Sequence, residues 1–525
     1  MRELHELTLA EASRAVAQRE VSPVELAQAL VDRVRRLDPA IRSFIEPTPD
    51  LALEQARVAE REIAAGGPRG PLHGIPFGLK DIYDTAGIPT TGHSRVFRHR
   101  VPDGDSECMR RLRAAGGVLL GKLATHEMGH GGPSHDLPWP AARNPWNTAH
   151  FTGGSSSGSA AALAARFLPA ACGTDTGGSI RGPASLCGVD GYMPTPGLVS
   201  RYGVIPNSPT LDRCGPMART AEDCAILLQA LAGHDPRDPA SRPVPATDYR
   251  AALTPDLKGM RIGVVRSYWE EEIRQSAAVA GAMEAALSTL RDLGAELEDT
   301  PWLSLRQAFD VKIAIGEPEI FAVHADALGR RAHEFGLDFL QRIVPACLFS
   351  AIDYLNAAKA HRRLTRQAMA PFARYDILVT VTQGTAPRLD AHQPLDFWRR
   401  LNAYAPANVS GGPALSVCNG FDGGLPLGMQ IIGPPGADAK VLRVGHAYQQ
   451  ATDWHRRTPE LSAARPPAVA PQSAPAVDAS DPRLLDLCEQ AARRANLPVD
   501  DRILGLIQAA APYALEMSRR LAAEP

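Results

Sequence analysis

Apolar positions along this chain follow two patterns: short unbroken runs bounded by glycine or proline, and longer stretches where they recur every three or four residues. The first predicts buried strands and the second amphipathic helices. Ser22-Pro23-Val24-Glu25 has the chemistry of a helix start, with a capping serine, a proline in the first turn and a glutamate that reaches back. Leu26, Leu30, Val31 and Val34 follow at helical spacing. Residues 74–82 predict a short buried strand with Lys80 at or near its end, and residues 107–125 a helix followed by a strand at 117–121. Residues 159–165 are small and apolar, which predicts a helix able to lie close against a sheet, and 167–175 read as turn and strand. Further strands are expected at 260–265 and 377–381, an amphipathic helix at 278–290, and mainly helix over 303–370. Strands alternating with helices throughout predict an α/β fold.

A proline- and alanine-rich run beginning at Arg465 interrupts this pattern and reads as a semi-rigid linker. The expected organisation is a catalytic domain over 1–464, a linker over 465–480 and a helical hairpin over 481–525. In the hairpin, Leu484, Leu487, Cys488 and Ala491 share one helix face, and a second helix from about residue 500 is expected to kink at Pro512. Alone the hairpin is too small to fold, so it should pack on the main body or on a partner.

Composition narrows the function classes. Over 525 residues the chain is 44% hydrophobic and 22% charged, with a formal net charge of −2. That balance provides no global field for nucleic acid or an anionic membrane, so neither is an expected direct partner. No apolar run is long enough to span a bilayer, and the N-terminal residues lack the apolar core of a signal peptide. The eight cysteines are scattered without a Cys-x-x-Cys pair, so reduced thiols in a cytoplasmic protein are expected.

The chemistry concentrates in two glycine-cushioned serine segments, Gly153-Gly154-Ser155-Ser156-Ser157-Gly158 and Gly173-Thr174-Asp175-Thr176-Gly177-Gly178-Ser179. A serine hydroxyl needs a base, a positioner and a pocket for negative charge, and glycine supplies close approach and unobstructed N–H donors. Two other patterns compete. His126-Glu127-Met128-Gly129-His130 matches a zinc-hydrolase motif, but that motif requires a helix, and Gly129, Gly131, Gly132 and Pro133 argue for a loop. Gly154-Ser155-Ser156-Ser157-Gly158 matches a nucleophile elbow centred on Ser156, but an elbow follows a strand and the preceding 144–150 is turn-like.

Taken together, the two serine segments, Gly74-Ile75-Pro76-Phe77-Gly78-Leu79-Lys80-Asp81, and the segments beginning at Asn408 and Gly424 resemble the amidase signature family over roughly residues 5–460. The resemblance implies a large mixed β-sheet sandwiched between helical layers. It further implies Ser179 as the acylated nucleophile, Ser155 on a cis peptide as proton relay, and Lys80 as a neutral base. The N–H groups of Thr176, Gly177, Gly178 and Ser179 would form the oxyanion hole, with Asp175, Arg181 and Ser156 as supporting neighbours. No metal or organic cofactor is implied. The sequence departs from the common pattern at Ser157, within Gly191-Tyr192-Met193-Pro194-Thr195, at Leu198 and within Val417-Cys418-Asn419, none of which touches the triad. The expected function is hydrolysis of a carboxylic or carbamoyl-type amide of a small molecule to a carboxylate plus ammonia or an amine. The alternative is a glutamine-hydrolysing amidotransferase A-subunit that passes ammonia to a partner. A homodimer is the expected oligomer.

Overall fold

In a computed structural model, which describes residues 3–245 and 247–523, the core is one mixed sheet of eleven strands among the described residues. In chain order these are β1 (Phe44–Pro47), β2 (Pro76–Lys80), β3 (Val118–Leu123), β4 (Ala170–Asp175), β5 (Asp190–Met193) and β6 (Arg213–Ala218), then β7 (Arg261–Val264), β8 (Glu296–Asp299), β9 (Ile377–Val381), β10 (Ala414–Asp422) and β11 (Leu425–Ile432). Their spatial order is β1-β3-β2-β4-β6-β5-β10-β11-β9-β7-β8, with helices packed on the sheet. The expected α/β sheet layered by helices is what the chain forms.

Helix starts follow local chemistry. Ser22 Oγ accepts from the Glu25 N–H at 3.1 Å while the Ser22 N–H donates to Glu25 Oε2 at 2.9 Å, which opens the helix Pro23–Ile41. The small-residue helix Ser157–Ala164 is buried along its whole length, against β2, β3, β4 and β6. A methyl group on Gly158 would lie 2.3 Å from Ser43 O and 2.4 Å from Ala124 N, so only glycine admits this approach.

Strand pairing positions the chemistry. β2 runs parallel to β4 with Phe77 opposite Ala170 and Leu79 opposite Cys172, so Lys80 emerges beside Gly173 and Thr174. β3 flanks β2 on the other side, also parallel. β4 continues past Asp175 into the second serine segment and then the helix Arg181–Cys187.

The C-terminal segment lies on the body. Residues 465–478 run without regular structure, with Pro467 O accepting from Arg143 and the Asp478 N–H donating to Gln508 Oε1. The helices Pro482–Arg494 and Asp501–Ala523 then pack on the turn Val344–Leu348, the second of them also on the helices Ala351–Gln367 and Leu305–Arg331. Ile503, Leu504, Ile507, Ala511, Met517 and Leu521 are buried there. The helix runs unbroken from Asp501 to Ala523 with Pro512 inside it.

Candidate active site

Lys80 is fully buried at the end of β2, and its Nζ donates to Ser155 Oγ at 2.7 Å and to Thr174 Oγ1 at 2.8 Å. Both partners are hydroxyls, which stabilise an ammonium far less than a carboxylate does. Burial therefore dominates and pushes Lys80 down to about 7, against weak opposing pulls from Asp212 and Asp175. Close to neutral pH this amine can accept a proton.

Ser155 follows a cis Gly154–Ser155 peptide and is buried. Its hydroxyl meets two groups, Lys80 Nζ and the carbonyl of Gly129, to which it donates. The Gly129 carbonyl also accepts from Asn207 Nδ2 at 3.1 Å. Ser156 faces the other way: its Oγ lies 3.3 Å from both the N–H and the carbonyl of Thr174, and its N–H donates to Ser179 O at 3.2 Å. Residues 144–155 form no strand, so the elbow geometry is absent and Ser156 stitches the two serine segments together.

Ser179 lines a pocket of about 330 Å³ together with Thr176, Gly177 and Gly178. The four N–H groups expected to form an oxyanion hole differ in their surroundings. The Gly178 N–H is taken, donating to Asp175 Oδ1 at 2.8 Å, whereas those of Thr176, Gly177 and Ser179 meet no protein acceptor among the described residues. Gly178 adopts φ +115°, and a Cβ there would strike the Tyr404 ring at 2.7 Å.

Beneath this turn lies a fully buried ion pair. Arg181 Nε and Nη2 each reach an Asp175 oxygen at 3.0 Å, and the guanidinium also donates to Tyr404 O, Gln430 Oε1 and Asn408 Oδ1. Burial by itself would raise the Asp175 carboxyl. Arg181, the Asn408 amide and the Gly178 N–H override it and hold the acid well below the usual carboxylate range. An exposed pair would have little structural weight, whereas this one fixes the serine turn to β11 and to the helix Ala405–Ser410.

His126, His130, Gly153 and Gly154 of the sequence motifs also line the pocket, and other parts of its wall are lined or braced by residues that carry no signature in the sequence. Asp338 accepts from Arg342 Nε at 2.8 Å, from the Gly132 N–H and from His392 Nε2. Lys312 Nζ lies 3.1 Å from Glu317 and 4.7 Å from the centre of the Phe397 ring, and Arg342 stands 4.7 Å from the same ring. Arg342, Lys312, His392 and Phe397 all line the pocket. They fall within or just after 303–370, but in sequence each reads as an ordinary charged or aromatic residue. The two motif histidines diverge. His126 bonds the Gly131 carbonyl at 2.6 Å and stacks on Phe151, whereas His130 stands 2.9 Å from Glu317, and Met128 between them has φ +53°. They do not share a helix face.

The Amidase family model matches residues 25–442. The chain is 40% identical over 490 residues to the glutamyl-tRNA(Gln) amidotransferase A-subunit of Chloroflexus aggregans, a match that covers 88% of this chain and all of that one. Among solved structures, the peptide amidase of Stenotrophomonas maltophilia is 32% identical with a TM-score of 0.75, covering 87% of this chain and 99% of that one. The glutamyl-tRNA(Gln) amidotransferase A-subunit of Thermotoga maritima is 29% identical with the same score, covering 88% and 99%. With its lysine and paired serines gathered at the end of a mixed sheet, this chain belongs to the amidase family and is an amide-hydrolysing enzyme.

Proposed function

We propose that this enzyme hydrolyses a primary carboxamide of the glutamine type through an ester on Ser179, in the manner of an amidotransferase A-subunit supplying ammonia to a partner protein. The observation that carries the chemistry is the 2.7 Å approach of a fully buried Lys80 to Ser155 Oγ, with Ser179 on the adjoining turn. The 40% identity to amidotransferase A-subunits favours glutamine and a partner over free release.

In this reading, Lys80 acts as a neutral amine. As Ser179 Oγ attacks the amide carbon, its proton passes to Ser155, whose own proton passes to Lys80. Negative charge developing on the carbonyl oxygen meets the free N–H groups at Thr176, Gly177 and Ser179; one such donor is worth about 10²–10³ in rate. Collapse of the tetrahedral intermediate breaks the C–N bond, and the proton held by Lys80 returns through Ser155 to the departing nitrogen. Water then attacks the ester by the same relay and frees Ser179.

A second reading, a stand-alone amidase, is favoured by one observation: the C-terminal segment 465–523 lies beyond the matched family region and covers helices that form the pocket wall. Two measurements test these readings. A fluorophosphonate should add its mass to the wild type and not to Ser179→Ala; equal labelling of both proteins overturns the nucleophile assignment. Ammonia release from glutamine that is slow alone and rises with the other amidotransferase subunits supports the A-subunit reading. Fast release from peptide or aryl amides, unchanged by partners, supports the stand-alone enzyme instead.

A further inference from the structure

A second cavity, of about 560 Å³, opens between the helix Pro23–Ile41 and the β1 edge of the sheet. It shares no lining residue with the pocket that holds Ser179. Its walls are mainly apolar: Val34, Phe44, Leu120 and Trp139 face it, and its volume falls within the range that encloses a small organic ligand, about 300–1,000 Å³.

The rim of this cavity is cationic. Arg35, Arg42 and Arg465 line it; Arg35 lies 3.9 Å from Asp32, whereas Arg42 and Arg465 form no ion pair with a carboxylate among the described residues. Arg143 stands close enough to Arg42 for the two charges to disfavour each other, and it is occupied with the carbonyls of Thr148 and Pro467. Asp38, the acid in the lining, already accepts from Ser43 N, Ser43 Oγ and Phe44 N. Its carboxyl is turned to these donors and forms no ion pair with Arg42 or Arg465 among the described residues. In the wall, His93 is buried with Nε2 against Trp139 O at 3.0 Å, and its Nδ1 has no protein partner.

We propose that this cavity binds an amphipathic anion, with an apolar or aryl body against Phe44, Leu120 and Trp139 and a carboxylate, sulfonate or phosphate head between Arg42 and Arg465. Two guanidiniums that form no ion pair, set at the mouth of an apolar hollow, are complementary in charge and polarity to a ligand of this kind. A polynucleotide would need a longer cationic track and would leave the apolar interior uncovered.

The probe is 8-anilinonaphthalene-1-sulfonate, titrated by fluorescence into the full native chain beside its uncharged analogue N-phenyl-1-naphthylamine. One saturable sulfonate site is expected, about tenfold or more weaker in Arg42→Ala and Arg465→Ala, in line with the loss of a charge-assisted hydrogen bond. Binding of the uncharged analogue should not change in those variants, and Val34→Trp should abolish binding of both probes. Amide turnover should be unchanged in Arg465→Ala, an exposed position, which shows that the fold is intact. The proposal is overturned if no saturable site appears, or if both arginine variants bind the sulfonate as the wild type does. It is also overturned if labelling Ser179 with a fluorophosphonate displaces the probe, since binding then belongs to the catalytic pocket.

Discussion

Lys80 concentrates the chemistry of this protein in one amine. Its burial among hydroxyls brings it down to about 7, so the amine is neutral above that pH and protonated below it, as the proposed role of base requires. A pH profile of kcat/KM should therefore be flat above about 7 and fall about tenfold per unit well below it. A profile that stays flat down to pH 5 excludes Lys80 as the base. The same shift has a structural sign. Between the ordinary lysine range and about 7 the unfolded chain holds a proton that the folded chain lacks, so folding weakens as pH falls through that window. Lys80→Met should abolish turnover and raise the thermal midpoint at pH 7, measured by calorimetry. Arg181 behaves oppositely: Arg181→Met strands Asp175 as a buried charge and should cost about 3–5 kcal/mol in urea denaturation. Lys80, Ser155 and Ser179 were legible in the sequence because glycine marks both serine turns and a short apolar run marks the lysine strand. Thr174 lies inside the second serine segment, yet nothing in sequence marks a threonine as a lysine's second partner. Asp338 and His392 were illegible for another reason. Asp338 gains its meaning only by meeting Gly132, 206 positions earlier in the chain, and His392, 54 positions later.

At the scale of elements, the strands that could be read from sequence were those made of continuous apolar residues, such as β2, β3 and β9. β6 was not, because Arg213-Cys214-Gly215-Pro216-Met217-Ala218 carries a proline and a glycine where an interior strand usually has neither. Its flanking strands hold it regardless, with Cys172 of β4 opposite Pro216. The helix Ser157–Ala164 depends on closeness, and Gly158→Ala should destabilise by about 1–3 kcal/mol or more, since the opposing atoms are backbone and cannot rotate away. The loop carrying His126 and His130 is pinned through Glu127, which accepts from Ser94 Oγ and from the Gly336 N–H. Burial raises this carboxyl to about 8. The folded chain then keeps a proton that the unfolded chain releases above the ordinary glutamate range, so stability declines as pH rises from about 5 to 8. Glu127→Gln, which mimics the protonated acid, should flatten that decline in melting curves recorded across the interval. A slope equal to that of the wild type would assign the pH dependence to other groups.

At the scale of the molecule, the C-terminal helices form part of the wall behind the pocket. Gln341, on the pocket-wall helix Leu337–Ile343, donates to Leu506 O, and Arg520 holds the buried Asp310 of the helix Leu305–Arg331 at 2.6 and 3.0 Å. Deleting residues 465–525 should uncover the apolar side of these helices, lower the thermal midpoint by several degrees and promote aggregation at high protein concentration. Among the described residues no helix is long and apolar enough to cross a membrane. The Arg181 cluster has a consequence for synthesis. Its partners Asn408 and Gln430 lie 227 and 249 positions further along the chain. At about 5–20 residues per second, a ribosome needs on the order of ten seconds or more to deliver them after Arg181 has been made. Until then the nascent serine turn has an unfilled socket, so the turn takes its final form only after residue 430 has been made.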